Sequence, residues 1–270
     1  MKDYSYTIEQ RPIELGGGWR LRLLEKGEEV GGGVFPLLGY PSAESLDEAH
    51  WLAYADAEAE ASAWLASRQC DRPPEHMMTH SGIDYVSGVL RVREVRIADI
   101  AHALSLICRF GGHSVEHYSV AQHSLLVARI LESMGAPADA QLCGLMHDAH
   151  EAYVGDVPTP IKLMLGAAWA DLEHQAEDVV LSAFGLVAAM NDWRDIVKHA
   201  DRVALATERR DLLQFDMGVN RPWPILDGVA PFDGHACPSK AAQHQWAEAF
   251  LARFVALREA CDARSSIGMN

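Results

Sequence analysis

The chain has 270 residues, 49% of them hydrophobic and 23% charged, which is enough for a packed core and excludes a disordered or collagen-like protein. Lys and Arg total 23 against 38 Asp and Glu, and a formal charge of −15 repels nucleic acid polymers while leaving room for a small nucleotide held by a cation. The first ten residues lack an apolar core, no run reaches the roughly 18 apolar residues of a membrane span, and Cys70, Cys108, Cys143, Cys237 and Cys261 form no CxxC pair, so the expected setting is a reducing cytoplasm with no membrane partner.

Between residues 4 and 35 the runs YSYTIEQ, WRLRLLE and EVGGGVF have strand character and are separated by GGG and KGEE, which predicts a small antiparallel sheet. Gly16–Gly18 and Gly31–Gly33 lack a following Lys-Ser or Lys-Thr and read as hairpin glycines, not as phosphate loops. The Ala- and Glu-rich segment 45–68 predicts one helix, with Trp51 and Trp64 expected in its core contact. Residues 1–70 therefore form a small α+β domain, whose acidic face and strand edges suit a homodimer or higher homo-oligomer.

Residues 71–78, with Pro73-Pro74, read as a linker, and residues 79–270 as an all-helical domain. Helical apolar spacing covers 97–110, 116–134, 138–154, 168–184, 192–215 and 240–263, with Gly and Pro at the breaks. The stretch Asn220 to Pro238 is a proline-rich surface loop of the length of a lid, with Trp223 either its anchor or a stacking platform. Cys108 and Cys143 fall in apolar patterns and are expected to be buried thiols.

His123 lies mid-helix on the apolar face of Val120, Val127 and Ile130. His147 and Asp148 directly follow the apolar run AQLCGLM, and Asp201 interrupts an apolar stripe between Val197 and Leu205. Burying these groups uncompensated is costly, and one divalent transition metal (Mn, Co, Fe or Zn) satisfies two imidazoles and two carboxylates together. Glu151, one turn after His147, is placed to support a ligand or to move a proton. Glu208, two turns beyond Asp201, shares its helix face.

The order His123, His147-Asp148, Asp201 resembles the H…HD…D metal motif of the HD-domain metal-dependent phosphohydrolases. The segment HDAHEAYVGDVPTPIK, with Arg109-Phe110 and YSVAQHS upstream, is similar to the bacterial 5'-deoxynucleotidase-like branch, over about residues 79–254. The resemblance implies a mainly α protein: an all-helical HD-domain fold preceded by the small α+β domain. It also implies His123, His147, Asp148 and Asp201 as metal ligands and Glu151 as the residue that orients or deprotonates water, with Asp156 assisting proton handling or contacting the sugar hydroxyl. Arg109 would contact phosphate and Phe110 the sugar or base. Lys162 would neutralise phosphate charge, and Thr159, whose plain role is a helix N-cap, completes the substrate-binding set. The sequence departs from that branch at Phe110, where Trp is usual, and at Gln122, where Glu is usual. The expected activity is hydrolysis of deoxynucleoside monophosphates to nucleoside and phosphate. The alternatives are a deoxynucleoside triphosphate triphosphohydrolase releasing tripolyphosphate and a non-catalytic nucleotide-binding regulator.

Overall fold

Strands β1 (Tyr4–Gln10), β2 (Trp19–Glu25) and β3 (Glu28–Phe35) form an antiparallel meander, in a computed structural model that describes residues 4–41, 43, 45–69, 76–86, 88–236 and 242–267, without the side chains of 66, 67, 69 and 265–267. Tyr4 pairs with Glu25 and Trp19 with Phe35, so Leu21, Leu23 and Phe35 are buried on one face. The β2–β3 hairpin turns through Lys26 and Gly27, both at positive φ (53° and 84°), as a type I′ turn requires. Gly31–Gly33 consequently lie inside β3 and not in a hairpin turn. At Gly32 (φ 141°) a Cβ would overlap the Leu21 carbonyl oxygen, so only glycine fits there.

Helix α1 (Leu46–Gln69) starts at Ser45, whose hydroxyl accepts the Glu48 N–H at 3.1 Å. It packs on the sheet through Leu52, Ala53, Ala57 and Ala61. This contact face is built of alanine, and Trp51, expected in the core, is 55% exposed instead. Trp64 stands edge-on to Tyr4 with ring centroids 5.5 Å apart.

Residues 70–75, most of the expected linker, lie outside the described residues. Beyond them β4 (His76–Met78) and β5 (Asp84–Val86) form a second antiparallel pair, which corrects both the end of the linker and the all-helical reading of residues 79 onward. The compact unit reaches past residue 70 to Val95 and also takes in His174–Gly185. Residues 91–93 are tied to α1: buried Asp56 accepts the Val92 N–H (3.0 Å) and the Tyr40 hydroxyl (2.8 Å), and Glu60 pairs with Arg91 (2.9 Å) and Arg93 (3.3 Å).

The second unit comprises Arg96–Glu173 and Leu186–Asn270. Its helices are α2 (Ile97–Leu106), α3 (Val120–Ser133), α4 (Ala138–Met146), α5 (Glu151–Val154), α6 (Thr159–Leu165), the start of α7 (Ala167–Ala183), α8 (Val187–Leu212) and α9 (Gln243–Ile267). Helices α3, α4 and α8 pack on one another and α9 covers α2, α3 and α4, burying Leu104, Val127, Ile130, Leu131, Leu145 and Phe250. Among the described residues no helix is long and apolar enough to cross a membrane.

Three expected helices are shorter than their apolar periodicity. The first ends at Leu106 because residues 107–109 pair with 118–120, through Val120 N–H to Ile107 O (3.0 Å) and Arg109 N–H to Tyr118 O (2.9 Å). The second starts at Val120 because Ser119 and Gln122 form a capping box. The third breaks after Met146, where residues 147–150 turn through tight bonds such as Ala149 N–H to Met146 O and Glu151 N–H to Asp148 O, both 3.0 Å. The loop read as a lid is strapped to α8: Thr207 accepts the Phe232 N–H (2.8 Å), Arg210 donates to the Gly234 carbonyl (2.7 Å), and Asp211 accepts the Ala236 N–H (2.9 Å). Trp223 packs edge-on against Phe215 at 6.2 Å, as an anchor. Cys143 is buried and Cys108 half-buried, while Cys70 and Cys237 lie outside the described residues.

Candidate metal centre

Helices α3 and α8 and the turn after α4 bring four side chains to one point. His123 Nε2 lies 3.3 Å from His147 Nε2, 3.5 Å from Asp148 Oδ2 and 3.1 Å from Asp201 Oδ1. His147 Nε2 lies 3.2 Å from Asp148 Oδ2 and 3.9 Å from Asp201 Oδ1. Side-chain exposure rises from none at His123 to 36% at Asp201, so the cradle opens to solvent on the α8 side.

The opposite edge of each imidazole is occupied. His147 Nδ1 meets the Gly144 carbonyl at 2.8 Å, and His123 Nδ1 meets Glu208 Oε1 at 2.6 Å. A proton on each Nδ1 satisfies those acceptors and turns both Nε2 lone pairs toward the two carboxylate oxygens. Ligand atoms about 2.0–2.2 Å from one transition metal ion are about 3 Å apart, so the donor set fits such an ion in chemistry and in spacing. Among the described residues, His123, His147 and Asp148 are the group of three or more ligand-type side chains close enough to share an ion, and Asp201 stands beside them.

Charge explains how this cluster persists. Burial and Arg109 oppose a proton on His123, but Glu208 and Asp201 outweigh them, and its pKa is pushed up to about 10. Burial opposes ionisation of Asp148, but His147, His123 and Arg109 hold its carboxyl well below the usual range. Arg109 approaches Asp148 Oδ2 at 3.6 Å and Glu208 Oε2 at 3.3 Å, and these carboxylates keep it charged despite its burial. Glu151 is the opposite case: burial and the neighbouring Asp148 and Asp156 push its carboxyl well up, and its Oε2 has no hydrogen-bond partner.

No protein-family model matches the chain. The uncharacterised protein YfdR of Escherichia coli is 38% identical over 151 residues, which is 56% of this chain and 78% of that protein. The chain belongs to the YfdR family. A second relative, an uncharacterised protein of Rhodobacter capsulatus, is 32% identical over 143 residues, 49% of this chain and 73% of its own length.

In this member of the YfdR family the remaining expected site residues are placed unequally. Burial raises the Asp156 carboxyl against the pull of Arg109. Phe110 sits in the left-handed region (φ 56°) with its ring 5.5 Å from the Arg109 guanidinium. Lys162 Nζ stands 3.9 Å from Glu151 Oε1 and 2.5 Å from Glu173 Oε1, so its charge is already engaged. Thr159 is exposed and is the first residue of α6, with Pro158 at the cap position, so Thr159 does not hold the N-cap position expected of it. Gln122 is occupied by the α3 capping box, a role that Glu at this position also fills, so the departure from Glu leaves helix initiation intact. His113 and His117 are exposed and belong to no ligand group among the described residues.

Glu173 was missed, because it meets Lys162 across the helix break at Gly166 and no periodicity links the two. Glu208 was legible only as a neighbour of Asp201 on one helix face. Its contact with the back of His123 depends on how α8 packs against α3.

Proposed function

We propose that the chain is a metal-dependent nucleotide phosphohydrolase of the HD-domain type, acting as a 5'-nucleotidase on deoxynucleoside monophosphates. The observation that carries this reading is the convergence of His123, His147, Asp148 and Asp201 beside a buried, charged Arg109. A divalent Mn, Co, Fe or Zn ion held by those four residues supplies Lewis acidity, acidifying water and drawing charge from a phosphoryl oxygen. Arg109 binds the phosphate and neutralises the charge that builds on it. Glu151, with its raised pKa and unpartnered Oε2, takes the proton of the attacking water as the new phosphorus–oxygen bond forms. Asp156, also raised, donates the proton that leaves with the nucleoside 5'-oxygen as the ester bond breaks. Local cationic charge within a protein of net charge −15 favours a small anion over a polymer.

The test is product identification by ion-exchange chromatography after metal-stripped protein, reloaded with Mn or Co, is incubated with dAMP and separately with dATP. Deoxyadenosine and phosphate from dAMP, abolished by Asp148→Asn, support the reading. Deoxyadenosine and tripolyphosphate from dATP replace it with a triphosphohydrolase, and no product from either, with metal bound, sinks it in favour of nucleotide binding without catalysis.

A further inference from the structure

Glu208 is fully buried on α8, and its two oxygens face two groups with different tasks. Oε1 lies 2.6 Å from His123 Nδ1, and Oε2 lies 3.3 Å from Arg109 Nε. A buried carboxylate is tolerated only where partners compensate it, and here the partners are one expected cation ligand and the expected phosphate clamp. The contact on Nδ1 fixes which nitrogen of His123 carries the proton and how the ring is turned, leaving Nε2 for the cradle. The contact on Nε holds the guanidinium from behind, with Nη1 toward Asp148 Oδ2 at 3.6 Å. Neither Arg109 Nε nor Glu208 Oε2 makes an aligned hydrogen bond, so this pairing is Coulombic, and the fork of the guanidinium keeps its other donors.

The geometry points to Glu208 as a positioning residue that couples cation binding to phosphate binding: one carboxylate presents His123 to the ion and aims Arg109 at the substrate. This rests on the metal-centre reading above. Replacement by glutamine keeps the shape but removes the charge, and turns one –NH2 group toward either His123 or Arg109, both donors. Both functions therefore weaken through a residue that touches neither ion nor phosphate.

The experiment is calorimetric titration of the metal-stripped 270-residue chain with Mn2+, followed by inorganic phosphate at saturating Mn2+, for the parent, Glu208→Gln and Arg109→Gln, with circular dichroism as the check on folding. Glu208→Gln is expected to weaken Mn2+ binding about 10- to 100-fold and phosphate binding about tenfold. Arg109→Gln is expected to weaken phosphate binding by a larger factor than Mn2+ binding, because the guanidinium is the phosphate clamp and only flanks the ligand Asp148. A folded Glu208→Gln protein that binds both within twofold of the parent overturns the proposal, as does a loss confined to one of the two ligands. If the variant does not fold, imidazole nitrogen NMR of the Zn2+-loaded parent decides, since the proposal requires the His123 proton on Nδ1, and a proton on Nε2 overturns it. A parent that binds no cation fails the metal-centre reading itself, whereas a parent that binds Mn2+ beside an unaffected Glu208→Gln fails this proposal alone.

Discussion

Gly144 on α4 faces Leu131 on α3 so closely that a Cβ at 144 would overlap Leu131 Cδ1. Helix α3, which carries His123, and helix α4, which leads into His147, are therefore spaced by the absence of a side chain, and the Gly144 carbonyl also accepts from His147. Overpacking a core of this kind costs about 1–3 kcal/mol, and alanine returns about 1 kcal/mol of helix propensity. Gly144→Ala is expected to lose about 1 kcal/mol by urea denaturation and to bind Mn2+ more weakly, with Leu131→Val in the same background recovering part of both. An unchanged Mn2+ affinity would show that the spacing of α3 and α4 does not govern the cradle.

Cation affinity should rise with pH. The pKa of His123 is pushed up to about 10, so its imidazole is protonated at pH 7 and the ion must displace that proton. Each displaced proton gives about a tenfold gain in affinity per pH unit below that pKa. Calorimetry in buffers of different ionisation enthalpy should detect release of at least one proton per Mn2+ at pH 7, and an affinity constant from pH 6 to 8 would contradict it.

Glu151→Gln should separate chemistry from folding. Removing the proton acceptor is expected to lower kcat about 10²- to 10⁴-fold while Mn2+ affinity stays within a few-fold. The folded protein holds the Glu151 proton more tightly than the unfolded chain, because burial and then Asp148 and Asp156 raise its pKa above the ordinary value of 4.5. Its contribution to stability therefore falls as pH rises from that value through the raised one, and the glutamine variant should lose less stability over that range in pH-dependent thermal melts.

Cys143 should be inert in the native state. It is buried on α4, and burial first, then Asp139, pushes its thiol up to about 12. At pH 8 only about one molecule in ten thousand is a thiolate at that pKa, so mass spectrometry after alkylation should find Cys143 unmodified until denaturant is added. Native labelling at the rate of a free thiol would contradict the packing of α4.

Much of the metal centre was legible from the residues alone, since His123, His147, Asp148 and Asp201 each interrupt an apolar helical stripe and the fold brings their ligand atoms together. The break at residues 147–150 was not legible, because AQLCGLMHDAHEAYVGD keeps its periodicity across tight turns as well as across α-helix. Trp51 misled for a related reason: spacing places it near the stripe, but the face that α1 buries runs through Leu52, Ala53, Ala57 and Ala61, and Trp51 lies beside that face with more than half of its surface exposed. The hairpin at 76–86 is short, with exposed β4, and carries almost no alternation to read.

The turn at Lys26 and Gly27 has a consequence for how the chain is maintained. Lys26 adopts a left-handed conformation that asparagine or glycine adopts with less strain, and it is exposed, on a hairpin far in sequence from every ligand of the candidate centre. A single codon change to asparagine would add several tenths of a kcal/mol at no chemical cost. The tip of this hairpin, where a strained backbone meets solvent, is therefore where an engineer would begin.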